Sequence, residues 1–246
     1  MSVENYLLAA MPRELYDKLA PNLKRVSLQR GDMLHYPGDT IEDLYFPIDC
    51  ALSITMTMND GRTAETGIVG KREAIGVNAF MGGSETTQTT YIVQVAGTAF
   101  KIDARPMLEE FNCNKDLRDV LLPYTQALIA QISQTTACNR LHTLEQRLAR
   151  WLLEVQDRVE SNELRLTQEF IADMLGVRRA GVTQAAQKLQ DSGLIRYTRG
   201  HVDILDLQRT RSGCVRVFQS CQRRIRSLAW RKAQRRSIKS FSPFVV

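Results

Sequence analysis

QEFIADMLGVRRAGVTQAAQ, residues 168–187, is spaced as two short helices joined by a tight turn. The fifth residue, Ala172, is small where a larger side chain would push the helices apart. The ninth, Gly176, falls at the turn, where a left-handed backbone costs a residue without Cβ little. Ile171, Leu175, Val177, Val182 and Ala185 occupy the positions that a steeply crossing helix pair buries. Thr167 is a hydroxyl N-cap candidate, and Glu169 puts an acid in the first turn. An ordinary helical hairpin in a core would share one or two of these features, but not all together. The stretch implies a DNA-reading helix-turn-helix whose second helix runs from about Arg178 to Gln190. The expected DNA-facing residues are Thr167, Gln168, Arg178, Arg179, Thr183, Gln184, Gln187 and Lys188.

Working outward, Leu189–Ile195 ends a helix on Gly193, and Arg196–Leu205 alternates about the pair Arg199-Gly200. Two short strands around that turn make a wing, with Arg199 and His201 near a phosphate backbone. A solvated turn residue is the other reading of Arg199.

The first hundred residues read as β-rich. Short alternating runs are Val26–Leu28, Met33–Tyr36, Leu44–Ile48, Ala51–Met58, Thr63–Val69, Tyr91–Val95 and Thr98–Ile102. Glycine, proline and aspartate turns separate them, as at Pro37-Gly38-Asp39 and Asn59-Asp60-Gly61. Strands so short and so closely spaced indicate a jelly-roll or sandwich, preceded by small helices near Glu4–Leu8 and Arg13–Leu19. A long helix is expected from about Asp116 to Asn139. Its seam of Leu117, Leu121, Tyr124, Leu128, Gln131, Thr135 and Cys138 favours a subunit interface over an intrachain core. Pro123 marks a kink or break in it. Leu141–Arg158 forms a further amphipathic helix, with Leu144, Leu148, Trp151, Leu152 and Val155 on one face. The fold class is α+β. A jelly-roll-like β-roll with its short helices fills 1–113, a dimerisation helix 114–140, a winged helix-turn-helix 141–211, and a basic tail 212–246.

Composition agrees with this organisation: 246 residues, 43% hydrophobic and 24% charged, are ordinary for a globular chain of two medium domains. No apolar run approaches the ~20 residues of a membrane span, and Met1–Pro12 lacks a secretory pattern. Five cysteines without a C-x-x-C pair fit a reduced cytoplasm. Ser212–Val246 holds nine lysines and arginines and no acid, more than the whole net charge of +6, so residues 1–211 sum to −3. That tail is either solvated and disordered, a nonspecific phosphate contact, or a short docking helix.

This order of parts resembles the cyclic-AMP receptor protein and FNR superfamily of bacterial regulators, across roughly Leu23 to Leu207. Arg30-Gly31-Asp32, Tyr36-Pro37-Gly38-Asp39, Leu44-Tyr45-Phe46, Asn59-Asp60-Gly61-Arg62, Ala74-Ile75-Gly76, Glu145-Gln146-Arg147-Leu148-Ala149 and the winged helix-turn-helix carry the resemblance. It implies a homodimeric, sequence-specific transcription regulator with a cyclic-nucleotide-binding-like domain. Its partners would be double-stranded DNA and a second copy, with RNA polymerase a candidate and no membrane. Arg179 matches a guanine-reading arginine of the family, whereas Ala180 and Gln184 replace an acid and a second arginine.

The resemblance breaks in the sensory site. The pocket positions are Gly76, Val77, Thr89 and Thr90. Val77 cannot accept a ribose hydroxyl, and no basic residue lies between Arg72 and Lys101 to pair with a phosphate. Gating by cyclic AMP in the usual way is therefore not expected. The pocket either takes another ligand or is filled by its own side chains. No cofactor is expected, and the effector stays open. An iron–sulfur cluster lacks its thiolates. Haem would rest on His35 or Cys50, and a strand histidine is more often structural. Cys138 could form an intersubunit disulfide or be a buried thiol; Cys214 and Cys221 could oxidise or bind metal. A redox- or haem-sensing regulator of this fold, and an architectural DNA binder, are the alternatives. The three histidines do not make a cupin-type metal site, and no metal or catalytic residue is expected.

Overall fold

The computed structural model describes residues 3–80, 87–207 and 210, so the basic tail with Cys214 and Cys221 lies outside the described residues. Alternating side chains between residues 24 and 103 build seven strands: β1 (Lys24–Leu28), β2 (Met33–His35), β3 (Asp43–Pro47), β4 (Ala51–Thr57), β5 (Thr63–Val69), β6 (Thr90–Val95) and β7 (Gly97–Asp103). They pair antiparallel in two sheets, ordered β1-β7-β3 and β2-β6-β4-β5. Leu28, Tyr45, Leu52, Ile54, Val69, Val93 and Ala99 form the core of this roll.

Two small helices precede it, α1 (Tyr6–Ala9) and α2 (Arg13–Leu19). Asn5 is fully buried and joins them to the roll. Its Oδ1 accepts from the amides of Leu7 and Leu8, while its Nδ2 donates to the carbonyls of Pro47 and Glu73. Every polar atom of that side chain is thereby satisfied.

Three helices follow, α3 (Ala104–Cys113), α4 (Lys115–Leu141) and α5 (Leu144–Val159). The sequence reading missed α3, although Asp103 caps it through the Arg105 amide and Pro106 sits harmlessly in its first turn. Pro123 does not break α4, which runs through it for 27 residues. The assigned seam of α4 is also corrected. Leu117, Leu121, Tyr124, Gln131, Thr135 and Cys138 are all buried within one chain, Thr135 beside Arg150 of α5. The Tyr124 hydroxyl bonds the backbone of Ala74, and Gln131 Nε2 donates 3.0 Å to the Ile68 carbonyl. The opposite face of α4 carries exposed Leu122 and Ile129.

A third sheet belongs to the C-terminal unit. It adds β8 (Glu163–Arg165), α6 (Gln168–Leu175), α7 (Arg179–Asp191), β9 (Ile195–Thr198) and β10 (His201–Ile204), with strand order β8-β10-β9. The sequence reading missed β8, whose three residues are too few for alternation to show. One apolar cluster runs through this unit and α5 and reaches Ala51 and Ile68 of the roll. Among the described residues no helix is long and apolar enough to cross a membrane.

Candidate nucleic-acid interface

Local chemistry sets the two helices. Thr167 caps α6 by accepting from the Phe170 amide at 3.3 Å. Gly176 ends it in the left-handed region at φ +62°, and the Val177 amide then closes back on the Ala172 carbonyl at 2.9 Å. Ala172, Val182 and Ala185 are buried where the helices cross. Gly181 faces α5, since an added Cβ would sit 3.0 Å from Leu144 Cδ2.

With that face buried, the opposite side of α7 is left open. Arg178, Arg179, Thr183, Gln184 and Gln187 are all exposed, in successive turns from the start of the helix. The Arg179 side chain is 67% exposed, and its Nε stands 4.0 Å from Glu169, too far for a strong bond. Gln168 lies beside this row and accepts from the Thr183 hydroxyl at 2.8 Å. Lys188 is drawn out of it, because its ammonium pairs with Glu145 on α5 and holds that carboxyl down at about 2. Arg199 and Gly200 form the wing turn with φ of +45° and +84°, the two positive values of a tight hairpin, and Arg199 is exposed at its tip.

The roll reaches this surface. Arg30, in the β1–β2 turn, lies 4.6 Å over the Phe170 ring and extends toward the Arg165 carbonyl at 3.4 Å and the Thr167 hydroxyl at 3.5 Å. Nothing in the sequence signalled that contact, which joins segments more than a hundred residues apart.

The pocket positions are also partly joined. Gly76 has φ +86°, and a Cβ there would fall 2.6 Å from the Asp43 carbonyl oxygen, so close backbone packing demands the glycine. Val77 is buried at the start of a short helical turn. Across from it the Tyr91 hydroxyl donates to Asn78 Oδ1 at 3.0 Å, and Thr89 is tied to Thr87. Thr90 is buried, its carbonyl accepting from Thr55. His35 stands edge-on to the rings of Tyr45 and Tyr91, with Nε2 at 3.1 Å from the Asp43 carbonyl. Burial lowers its pKa, so it is neutral and donates there. Cys50 is buried beneath, its thiol donating to the Thr98 carbonyl and pushed up to about 12 by burial. His35 and Cys50 are both engaged by backbone carbonyls of the roll. Cys138 accepts from Gln134 Nε2 at 3.2 Å and is buried, which removes it from the exposed face where two copies could meet.

Residues 25–113 match the cyclic nucleotide-binding domain, and residues 146–211 match the Crp-like helix-turn-helix domain. Together they span more than half of the chain, in the order the resemblance requires. The chain belongs to the CRP/FNR family. A relative is the global nitrogen regulator of Synechocystis sp., 23% identical over 210 residues that cover 80% of this chain and 91% of that protein. A crp/fnr transcriptional regulator from Eubacterium rectale shares the fold with a TM-score of 0.67 at 20% identity, covering 85% of this chain and 97% of that one. FixK2 from Bradyrhizobium japonicum also gives 0.67, at 15% identity, over 78% and 98% of the two chains. As a CRP/FNR member, the chain is a transcription regulator with a DNA-binding helix-turn-helix.

Proposed function

We propose that this regulator acts in the cytoplasm as a homodimer that reads a roughly palindromic DNA site, with α7 in the major groove. The observation that carries the reading is the exposed row Arg178, Arg179, Thr183, Gln184 and Gln187, opposite the face of α7 that buries Val182, Ala185, Ala186 and Leu189. Arg179 pairs bidentately with guanine O6 and N7, and the glutamines suit adenine or wider hydrogen bonding. Thr167, Gln168 and the wing-tip Arg199 meet phosphates on either side. Lys188, held by Glu145, reads no base. The dimer forms through the outer face of α4, where Leu122, Gln126, Ile129, Ser133 and Thr136 repeat at four- and three-residue steps and include exposed apolar side chains.

The sensory site does not take cyclic AMP or cyclic GMP. Asn78, Tyr91 and the threonines offer neutral donors in place of a cation, too little to offset desolvation of an anionic phosphate.

Selection of bound DNA from a random pool tests the whole reading. An inverted repeat with half-sites about one helical turn, ~34 Å, apart is the expected product. Recovery without sequence enrichment would replace it with an architectural binder, and a single unrepeated half-site would overturn the dimer.

A further inference from the structure

The contact between the roll and α5 contains polar groups that DNA reading does not use. A bulge leaves Thr66 unpaired opposite Ile54 and Thr55, and Glu65 on the same strand is buried inward. Trp151 of α5 donates its indole N–H to Glu65 Oε1 at 3.0 Å. The other carboxyl oxygen, Oε2, is 2.6 Å from Ser53 Oγ on β4, and that hydroxyl is 3.0 Å from Gln94 Oε1 on β6. One hydroxyl proton cannot serve two acceptors. With Gln94 Oε1 facing Ser53 and its Nε2 without a partner, a proton on Glu65 resolves the count: Trp151 donates to Glu65, Glu65 donates to Ser53, and Ser53 donates to Gln94.

The charges around the group favour the same state. From α5, Arg150 and Glu154 face Glu65, and Arg150 is already engaged with Glu154 at 2.8 Å and with Thr135 of α4 at 3.4 Å. From β4 and β6 come neutral Ser53 and Gln94. An ionised Glu65 would place two carboxylates against one committed guanidinium in a dry interface. Burial, with Glu154 adding to it, pushes Glu65 up to about 8.

We propose that Glu65 is a proton-operated latch between the β-roll and α5: protonated, it bridges Trp151 to Ser53, and on losing its proton it loosens α5, and with it the winged unit, from the roll. The sign follows from linkage. The folded pKa lies above the ordinary 4.5, so the stabilisation is full below 4.5 and is lost as pH rises through about 8.

Glu65→Gln reproduces the protonated group, with an oxygen for Trp151 and an N–H for Ser53. The full-length chain with Trp230→Phe, leaving Trp151 as the sole tryptophan, reports the latch by fluorescence between pH 6 and 9. A one-proton change in emission with a midpoint near 8 is expected, and none when Glu65→Gln is added. Amide exchange of residues 150–158, corrected for base catalysis, should speed up about tenfold from pH 7 to pH 9 and level off above, and only with Glu65 present. The unfolding constants of the two proteins should diverge about tenfold per pH unit between 4.5 and 8, with the glutamine form the more stable. The same titration surviving Glu65→Gln would overturn the latch. So would a glutamine form less stable than the parent at pH 7, the result expected if Glu65 were ionised and the Gln94 amide turned to donate.

Discussion

Helices α5 and α7 are both amphipathic and both carry basic residues, yet they treat those residues in opposite ways. On α5 the run from Leu148 to Val155 is buried without interruption, and Arg150, Glu154 and Arg158 go with it. Each charge there has a partner: Arg150 bonds Glu154, and Arg158 bonds Glu73 of the roll at 2.9 Å. Burial by itself would lower the pKa of Arg158, but Glu73, Glu154 and Asp157 together more than compensate and the guanidinium stays charged. On α7, Arg178 and Arg179 stand in water without a strong ion pair, at the end of the helix that a neighbouring duplex would meet. A basic residue on a helix thus says little until its neighbours are known. Arg158 ties α5 to the roll, whereas the exposed arginines of α7 are available to bind something else.

The largest effect should come from breaking the covered side. Arg158→Ala leaves the Glu73 carboxylate buried without its cation, and denaturant unfolding should show a loss of about 3–5 kcal/mol. A neutral result would mean that α5 does not need its charges. Gly70→Ala attacks the same place by volume. A Cβ there would fall 2.3 Å from Arg158 Cγ and 2.5 Å from its Cβ, so about 1–3 kcal/mol should be lost through overpacking.

On the open side the ledger reverses. Arg179→Ala should leave the melting temperature unchanged while weakening the selected DNA site by about 1–3 kcal/mol and relaxing preference at one base pair. Equal weakening on every sequence would make Arg179 a phosphate contact. Smallest of all, Lys188→Ala should cost below about 1 kcal/mol in stability, because its pair with Glu145 is largely exposed. Its salt dependence of DNA binding should match the parent's; a slope smaller by about one unit would place Lys188 on a phosphate after all.

The strands of the roll were legible because alternation and turn residues agree locally, and Thr63–Val69 matches the observed strand end to end. The helix-turn-helix was legible for the same reason: cap, turn glycine and crossing alanine all act within twenty residues. What periodicity could not show is which element covers a face. The seam of α4 read as a dimer contact because nothing adjacent in sequence could cover it, whereas strands some sixty residues upstream do, as Gln131 bonding Ile68 shows. The burial of Arg150, Glu154 and Arg158 was hidden for the same reason, since Glu73, which pairs with Arg158, lies in the loop after β5. Of the expected DNA residues, burial and pairing singled out Lys188 as different, and sequence had no means of seeing Glu145 beneath it.

The apolar cluster that reaches from the winged unit to Ala51 and Ile68 has a consequence for protein engineering. The turn at Gly176 rests 3.3 Å from the Ala64 methyl on β5, if a Cβ is imagined on the glycine, and Arg158 fills the space above Gly70. A chimaera that grafts this reading head onto another sensor would therefore inherit a mismatched seat unless β5 and Gly70 travelled with it. The unit of exchange is α5 together with the strand it sits on, and splice points chosen at the α4–α5 boundary would cut through a shared interior.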